Sequence, residues 1–440
     1  MDPSRERALE VLLEWERGRG SLDLIFQRLV EGDEHLDRQK KAFSRELVFG
    51  TVRWLSRIDW TLYRLYGKPL KVLKPVLRNA LRIGAYQLMF LDRVPPWAAV
   101  HETVQLVKER EGKKGAGFVN AILRNLLRER DSLVPDSRDP IERLSLLWAF
   151  PRWLVRRFYF QFGPEETEAL LGALNAVAPF TIRTNSLRTS RDKLMRTLEP
   201  FSPRPTSHSP WGIRLEEPRG VLEAEAFREG LFQVQDEGAQ LVSWLLSPRG
   251  GERVLDLCAA PGGKSTHLAE LMGNRGEILA VDVNPSRLRW LEENCRRLGI
   301  RIIRPMRRDA TKPLPCGEFD KVLVDVPCSG LGVIRRNPDI KWRLSPKEIR
   351  RLAEIQGRIL RVGASALRRG GYLLYSTCTL TPEENERVVQ GLVQEGGFEL
   401  VDLRGRVPIR DDFFTPEGYF MSLPWRHGTD GFFCALLRKL

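Results

Sequence analysis

Hydrophobic and polar positions follow a helical pattern in the N-terminal part of the chain. Between residues 4 and 130, apolar residues recur three and four positions apart, as from Leu77 to Leu81 and from Leu88 to Leu91, with Tyr86 between these pairs, which is the spacing of one helix face. Pro95 and Pro96 separate one such segment from the next. The pattern predicts a compact helical bundle built from segments that include "RERALEVLLEW", "RQKKAFSRELVFGTVRWLSRIDWTLYRL", "AAVHETVQLVKER" and "GFVNAILRNLLRER".

After residue 250 the pattern changes to short apolar runs that alternate with helical segments. The runs are "RVLDLCAA", "EILAVDV", "IRIIRPMRRD", "DKVLVDVP" and "GYLLYSTC". Alternating strands and helices predict a mostly parallel sheet covered on both faces. Ligand sites in such sheets lie beyond the carboxyl ends of the strands, where the strand order reverses.

The stretch between these two regions is mixed. It contains helical segments, the strand-like "FTIRTNSL" and five prolines between residues 200 and 218, which predict a loop or irregular connection. We therefore predict a multidomain protein: an all-α bundle at 1–135, a small α+β bridging domain at 136–235 and an α/β Rossmann-like domain at 236–440.

Charge suggests a polyanionic partner. The 440 residues carry 71 Lys and Arg against 57 Asp and Glu, a formal charge of +14. Residues 61–130 hold 14 basic and 5 acidic residues, whereas residues 1–60 hold 11 and 12. This asymmetry predicts a face in the helical part that binds the polyanion. The alternative is a scaffold that only packs on the rest of the protein.

Cysteine usage and the N-terminus predict a cytoplasmic protein. Six cysteines are too few for a disulfide framework, and none belongs to a CxxC pair or a zinc-spaced cluster: Cys258, Cys295, Cys316, Cys328, Cys378 and Cys434. The charged start "MDPSRERALE" is no signal sequence, and no apolar run reaches the roughly 20 residues that span a bilayer. We expect neither a metal nor a membrane, and we expect a monomer.

The segment "VLDLCAAPGGKSTHLAEL" predicts a ligand loop between a strand and a helix. Gly262 and Gly263 would let the backbone approach a ligand, and the helix start offers free N–H groups. The loop lacks both GxGxxG and GxxxxGK[ST], so dinucleotide and triphosphate sites are disfavoured.

Four acidic residues follow successive predicted strands: Asp256, Asp282, Asp309 and Asp325. Any one of them alone could be a helix cap or a turn residue. Together they would offer acceptors for the ribose hydroxyls, the adenine amino group and the ammonium of an adenosyl-methionine cofactor.

Two cysteines follow the last two predicted strands, Cys328 in "DVPCSG" and Cys378 in "YSTC". A lone cysteine is usually a core residue, but Pro-Cys-Ser-Gly is a poor core sequence. A thiolate can add to carbon 6 of a pyrimidine and so make carbon 5 nucleophilic towards a methyl donor. Two thiols and Asp325 fit addition, methyl transfer and release.

The motifs "DLCAAPGGK", "DVPCSG", "RRNPDIKW", "YSTCTLTPEENE" and "PWRHGTDGFFCALLRK" resemble those of the RNA 5-methylcytosine methyltransferases that use S-adenosylmethionine. The helical segment 1–130 is similar to the RNA-binding domain of the antitermination factor N-utilisation substance B. Together they resemble the bacterial enzymes that methylate cytosine in small-subunit (16S) ribosomal RNA. Transfer RNA as substrate, and a non-catalytic RNA-binding or antitermination factor, are the alternatives.

The resemblance implies a role for each motif. Cys378 would be the nucleophile, Cys328 would help product release, and Asp325 would complete the catalytic group. In unrelated DNA cytosine methyltransferases the Pro-Cys cysteine is the nucleophile, so the assignment rests on the family. The implied cofactor contacts are Cys258, Ala259, Ala260, Pro261, Gly262, Gly263, Lys264, Asp282, Asp309 and Asp325.

Basic and aromatic residues after Cys328 suggest where RNA binds. Arg335, Arg336, Lys341 and Trp342 mix cations with an aromatic ring, so phosphate contacts and base stacking are expected there. Two positions depart from the family pattern: Val326 stands where alanine is common, and Asn337 where histidine is frequent. His427 is expected to have a structural role.

Overall fold

The structure, a computed structural model, describes residues 2–315 and 317–440, so Cys316 lies outside the described residues. The helices are α1 Pro3–Glu16, α2 Leu22–Phe26, α3 Arg38–Arg53, α4 Leu55–Tyr66, α5 Pro75–Phe90, α6 Pro96–Glu129, α7 Pro140–Leu147, α8 Arg152–Phe162, α9 Pro164–Asn175, α10 Arg191–Thr197, α11 Glu225–Arg228, α12 Glu237–Leu246, α13 Gly263–Leu271, α14 Pro285–Leu298, α15 Ile340–Arg343, α16 Pro346–Ala366, α17 Glu386–Gln394 and α18 Pro424–His427. The strands are β1 Phe180–Thr184, β2 Pro203–Pro205, β3 Gly212–Leu215, β4 Phe232–Val234, β5 Arg253–Leu257, β6 Glu277–Asp282, β7 Ile303–Arg307, β8 Phe319–Asp325, β9 Leu367–Thr377, β10 Phe398–Val401, β11 Phe420–Ser422 and β12 Phe432–Lys439.

Contacts divide the chain into two compact units. The helical unit comprises Met1–Ala176 and Ile334–Arg343, and the sheet unit comprises Val177–Val333 and Leu344–Leu440. Residues 136–176 of the predicted bridging domain therefore group with the helical unit, and its remainder groups with the sheet unit. One physical reason is aromatic packing, since Trp148 at the end of α7 stacks on Trp54 with ring centroids 6.5 Å apart.

The core of the helical unit follows the predicted apolar spacing. Leu81, Tyr86 and Leu88 on α5 are buried, and Leu77 packs against the same core. Gly84 lets α5 and α6 approach closely, because a Cβ there would lie 2.6 Å from Leu123 Cδ1. The apolar pattern of α5 thus defines its packing face.

Two helix boundaries in this unit depend on single residues. The run predicted around "RQKKAFSRELVFGTVRWLSRIDWTLYRL" is two helices, because Trp54 between α3 and α4 leaves the helical conformation at φ −105° and ψ 18°. The two segments predicted after Pro96 are joined as α6, but Gly112 interrupts it with φ 75°. Glycine alone adopts this region without strain.

A small antiparallel sheet opens the sheet unit, with strand order β2-β3-β1-β4. Its core contains Ile182, Leu194, Ile213 and Phe232. The prediction of an irregular stretch at 200–218 was wrong in part, because β2 and β3 lie within it. Prolines are tolerated in β2 because it is an edge strand, where a missing N–H breaks no ladder.

The main sheet has the order β10-β12-β9-β8-β5-β6-β7, and β11 pairs with β12. Strands β5 to β9 pair in parallel, whereas β12 is antiparallel to β9, β10 and β11. The strand order reverses between β5 and β8, so the carboxyl ends of these two strands form the expected ligand crevice. Strands β8 and β9 are neighbours, as the convergence of the two cysteines requires.

Among the helices of the described residues, none has both the length and the apolar character needed to cross a membrane.

Candidate active site

The loop between β5 and α13 forms one wall of a cleft in the sheet unit. Gly262 has φ 99°, and a Cβ there would lie 2.2 Å from Leu291 Cδ1 on α14, so both conformation and packing require glycine. Cys258 also has a positive φ, of 64°. The cleft has a volume of about 290 Å³ and is lined by Gln235, Ala239, Asp256, Cys258, Ala259, Ala260, Pro261, Gly263, Lys264, Arg287, Asp325, Val326 and Pro327.

Asp256 is the most deeply buried acid of the cleft, with no exposed side-chain surface. Its Oδ2 accepts a hydrogen bond from Ser265 Oγ at 2.5 Å. Its Oδ1 has no hydrogen-bond partner among the described residues. Burial raises the pKa of Asp256 to about 7, outweighing the hydrogen bond from Ser265. The unpartnered oxygen is therefore available to a ligand donor.

Lys264 and Asp325 form an ion pair across the cleft. Lys264 Nζ donates to Asp325 Oδ2 at 2.7 Å and lies 5.1 Å from the ring centroid of Phe432. Burial lowers the pKa of Lys264, but the facing carboxylate outweighs burial and the pKa is raised. The ion pair links the loop after β5 to the end of β8.

Asp256 and Asp325 line the cleft, whereas Asp282 and Asp309 do not. Asp282 Oδ2 accepts from the backbone N–H of Ala260 at 3.2 Å, and its Oδ1 accepts from Asn284 N at 2.8 Å. Asp282 therefore holds the backbone of the cleft loop at Ala260. Asp309 is exposed, does not line the cleft, and has its pKa lowered by the hydroxyl and N–H of Thr311.

The two predicted catalytic cysteines lie together. Cys328 Sγ and Cys378 Sγ are 3.2 Å apart, and the N–H of Cys378 also donates to Cys328 Sγ at 3.3 Å. The hydrogen bond with Cys378, together with burial, raises the pKa of Cys328 well above its usual value. Cys328 is therefore a protonated thiol beside the sulfur of Cys378.

Sequence reasoning missed several residues that shape this site. Gln235, Ala239, Arg287 and Pro327 line the cleft but were not identified. Gln235 and Ala239 lie in the segment "FQVQDEGAQLV", whose sequence pattern gave no indication of a role in the cleft. Arg287 Nη2 donates to the carbonyl of Ala260 at 2.5 Å, so α14 also supports the loop.

Arg183 of β1 is a further missed residue that supports the cleft loop. It is fully buried and pairs with Glu270 on α13 at 2.7 Å. Its remaining donors reach Gly263 O at 2.7 Å, Thr266 Oγ1 at 3.1 Å and Gln235 Oε1. The five N–H groups of the guanidinium thus contact the first turn of α13 at Gly263 and Thr266, its last turn at Glu270, and Gln235 of the cleft wall.

The residues expected to contact RNA pack inside the helical unit. Lys341 is fully buried, and its Nζ donates to Arg53 O at 2.8 Å and to Asn175 Oδ1 at 3.0 Å. Burial lowers the pKa of Lys341 well below its usual value. Trp342 donates from Nε1 to Val52 O at 2.7 Å. In this arrangement Lys341 anchors the segment instead of presenting a cation to RNA.

The other two residues of this group are also largely covered. Arg335 is buried and its carbonyl accepts from Arg53 Nη2 at 3.0 Å, and Arg336 is half-buried. Of the two departures from the family pattern, Val326 lines the cleft and packs in the sheet core, whereas the carbonyl of Asn337 accepts from Ile340 N.

His427 fits the structural role expected from the sequence. Its ring stacks on Phe413 with centroids 3.7 Å apart, and its Nδ1 accepts from Leu423 N at 2.8 Å. Among the described residues, no group of three or more His, Cys, Asp and Glu is placed to hold a metal ion.

Three family descriptions match the chain. Residues 243–438 match the 16S rRNA methyltransferase RsmB/F family, residues 2–128 match the NusB family, and residues 150–222 match an RsmF/B-like, ferredoxin-like domain. These matches confirm the predicted fold class: an all-α N-terminal part, a small α+β part and a Rossmann-like α/β methyltransferase part.

Individual relatives cover nearly the whole chain. The "Probable ribosomal RNA small subunit methyltransferase B" of Bacillus subtilis (strain 168) is 36% identical over 99% of this chain and 98% of its own length. A crystal structure described as that of PH0851 is 29% identical, covers 100% of this chain and 99% of its own, and superposes with a TM-score of 0.82. NSun6 from Pyrococcus horikoshii, solved with SFG, is 27% identical over 67% of this chain and 99% of its own, with a TM-score of 0.60.

The resemblance expected from the motifs is confirmed by identity over nearly the full chain and by separate matches to its parts. This chain therefore belongs to the 16S rRNA methyltransferase RsmB/F family.

Proposed function

We propose that this methyltransferase transfers a methyl group from S-adenosylmethionine to carbon 5 of a cytosine in small-subunit ribosomal RNA, through a covalent adduct with Cys378. The observation that carries the proposal is the pair of thiols 3.2 Å apart at the ends of two neighbouring parallel strands. A single structural cysteine would need no such partner. Membership of the RsmB/F family supports the substrate class.

The cleft residues fit an adenosyl-methionine cofactor. Asp256 Oδ1, buried and unpartnered within the described residues, is an acceptor for the methionine ammonium. The small side chains of Ala259, Ala260 and Gly263 leave backbone accessible along one wall. When bound, the cofactor supplies an electrophilic methyl group.

Cys378 acts first in the proposed reaction. Its thiolate adds to carbon 6 of the cytosine, which moves electron density to carbon 5 and makes that carbon a nucleophile. Carbon 5 then takes the methyl group and gives up its proton to water. The electron pair of that C–H bond restores the double bond between carbons 5 and 6 as the bond to Cys378 breaks, and the methylated cytosine leaves.

Cys328 acts when that bond breaks. Its thiol proton lies within hydrogen-bond distance of Cys378 Sγ, where it stabilises the departing thiolate. In the free protein the hydrogen bond with Cys378 and burial raise the pKa of Cys328, so the thiol holds its proton. Lys264 and Asp325 hold the neighbouring loops in register through their 2.7 Å ion pair.

The target cytosine must be unpaired or turned out of its helix, since carbon 5 and carbon 6 have to lie between the thiol and the methyl donor. The NusB-family region and its excess of basic residues between 61 and 130 support binding of structured RNA through its phosphates. We propose that the protein acts as a monomer in the cytoplasm, where its substrate is made.

The experiment is incubation of the protein with S-adenosylmethionine and separate pools of protein-free small-subunit ribosomal RNA and transfer RNA, followed by nucleoside mass spectrometry. We expect 5-methylcytosine in the ribosomal pool, its loss in Cys378→Ser, and its retention in Cys295→Ser, whose thiol packs against the core of the sheet unit. Product only in transfer RNA would overturn the substrate. If neither of these pools contains product, a third pool of assembling small subunits is tested, and absence of product there as well would overturn the activity.

A further inference from the structure

Glu384 is a fully buried carboxylate in the loop that follows Cys378. Its Oε1 accepts from Ser329 N at 2.8 Å and from Gln356 Nε2 at 2.9 Å. Its Oε2 accepts from Ser329 Oγ at 2.5 Å and from Thr381 Oγ1 at 2.7 Å. A carboxylate has about four acceptor positions, so this one is saturated by protein donors.

The contacts of Glu384 connect the two cysteine loops. Ser329 directly follows Cys328, and Thr379 directly follows Cys378. The hydroxyls of Ser329 and Thr379 are 2.6 Å apart, and Glu384 accepts from the Ser329 hydroxyl in the same network. Hydrogen bonds therefore connect Ser329, which follows Cys328, to Thr379, which follows Cys378.

The two cysteines differ in the hydrogen bonds that hold the backbone next to them. Cys378 immediately follows β9, whose last residues pair with β8 on one side and with β12 on the other. Cys328 follows β8 after Val326, whose N–H still donates to Ser376 O of β9 at 3.1 Å, and Pro327, which has no N–H to donate. Glu384 and Gln356, which also donates to Pro327 O at 3.0 Å, hold this segment on either side of Cys328.

We propose that Glu384 is a positioning residue that keeps the thiol of Cys328 within hydrogen-bond distance of Cys378. Removing its carboxylate releases the Cys328 segment while the sheet still holds Cys378. Formation of the RNA adduct therefore continues, and resolution of the adduct slows. This inference rests on the proposed function, since it assigns Glu384 to the release step of that reaction.

The test compares Glu384→Ala, Glu384→Gln and the control Glu383→Gln, which changes the neighbouring half-buried carboxylate. For each full-length protein three quantities are measured: turnover of 5-methylcytosine, the fraction of enzyme covalently attached to RNA on denaturing gels, and the Kd for S-adenosylmethionine. The ratio of attached enzyme to turnover separates slow release from general damage, which would lower both quantities together.

We expect Glu384→Ala to lower turnover by about tenfold or more and to raise the attached fraction several-fold, with cofactor Kd within about twofold of wild type. Glu384→Gln keeps one oxygen for Ser329 N and Gln356 Nε2, so it restores part of the turnover. Glu383→Gln should match wild type in all three measurements.

Proportional loss of adduct and turnover, or wild-type behaviour of Glu384→Ala, would overturn the inference. Should Glu384→Ala not fold, Ser329→Ala removes only the hydroxyl shared with Thr379 and must show the same rise in attached enzyme. If the wild-type protein methylates no RNA, the proposed function fails. If the wild type is active and the ratio of attached enzyme to turnover is the same in the variants, only the role of Glu384 is overturned and the proposed function stands.

Discussion

The sulfur atoms of Cys328 and Cys378 lie 3.2 Å apart although fifty residues of chain separate them. The distance follows from the parallel pairing of β8 and β9, in which Asp325 is opposite Ser376. Each cysteine comes a few residues after this pair, so the two loops leave the sheet side by side. Two thiols at this distance can act on one base.

The release role of Cys328 predicts a trapped intermediate. Cys328→Ala keeps the nucleophile but removes the thiol beside it, so the enzyme should remain attached to methylated RNA and turnover should fall by about a hundredfold. Denaturing electrophoresis with labelled RNA measures the attached fraction. The double variant with Cys378→Ser should form no adduct. Attachment that persists in the double variant would show that another residue is the nucleophile.

The raised pKa of Asp256 predicts pH-dependent cofactor binding. A carboxylate that accepts from the methionine ammonium must be ionised, and burial holds the pKa of Asp256 at about 7 in the free protein. Below that pH the carboxyl group must lose a proton when the cofactor binds. The Kd for S-adenosylmethionine should therefore rise by up to about tenfold for each unit by which the pH falls. Calorimetric titrations between pH 5.5 and 8 measure this slope. Asp256→Asn should bind S-adenosylmethionine more weakly, and its Kd should change little with pH. If the Kd of the variant changes with pH as much as that of the wild type, another group takes up the proton.

The network of Arg183 predicts that a residue behind the cleft lining affects cofactor binding, because Arg183 donates to Gly263 and Gln235 of that lining. Arg183→Lys keeps the charge but cannot reach Gly263 O, Thr266 and Glu270 together, so the cofactor Kd should rise by about tenfold. RNA affinity should stay unchanged. Arg188→Lys is the matched control, because Arg188 donates to Leu298 O and has no contact with the cleft loop. Equal effects of the two substitutions on cofactor Kd would contradict a specific role for Arg183.

The burial of Lys341 predicts that it makes no phosphate contact. Lys341→Met removes the charge but keeps the length of the side chain, so RNA affinity should stay within about twofold and the slope of log Kd against log salt should not change. Loss of one phosphate contact would reduce that slope by about one. Lys114→Met, which removes an exposed charge from the same unit, controls for net charge. A reduced slope for Lys341→Met alone would restore the RNA-contact interpretation.

Local patterns were sufficient for much of the fold. The apolar spacing around Leu81 predicted a helix face. Asn284 and Pro285 start α14 and Gly299 ends it, and such boundaries are local because caps act within one turn. The proline-rich stretch at 200–218 was misjudged because proline excludes a central strand but not an edge strand, and edge position is a property of the sheet.

The sequence motifs predicted the chemical groups of the site, but they did not predict how the surrounding side chains pack around those groups. The motifs around Gly262, Cys328 and Cys378 predicted which groups would react, because chemical function depends on residue type and on the local turn. The buried positions of Lys341, Arg183 and Glu384 depended on partners distant in the chain. Only the tertiary structure decides whether a charged side chain meets solvent, a phosphate or a buried counter-charge, because the free energy of a charge depends on everything packed around it.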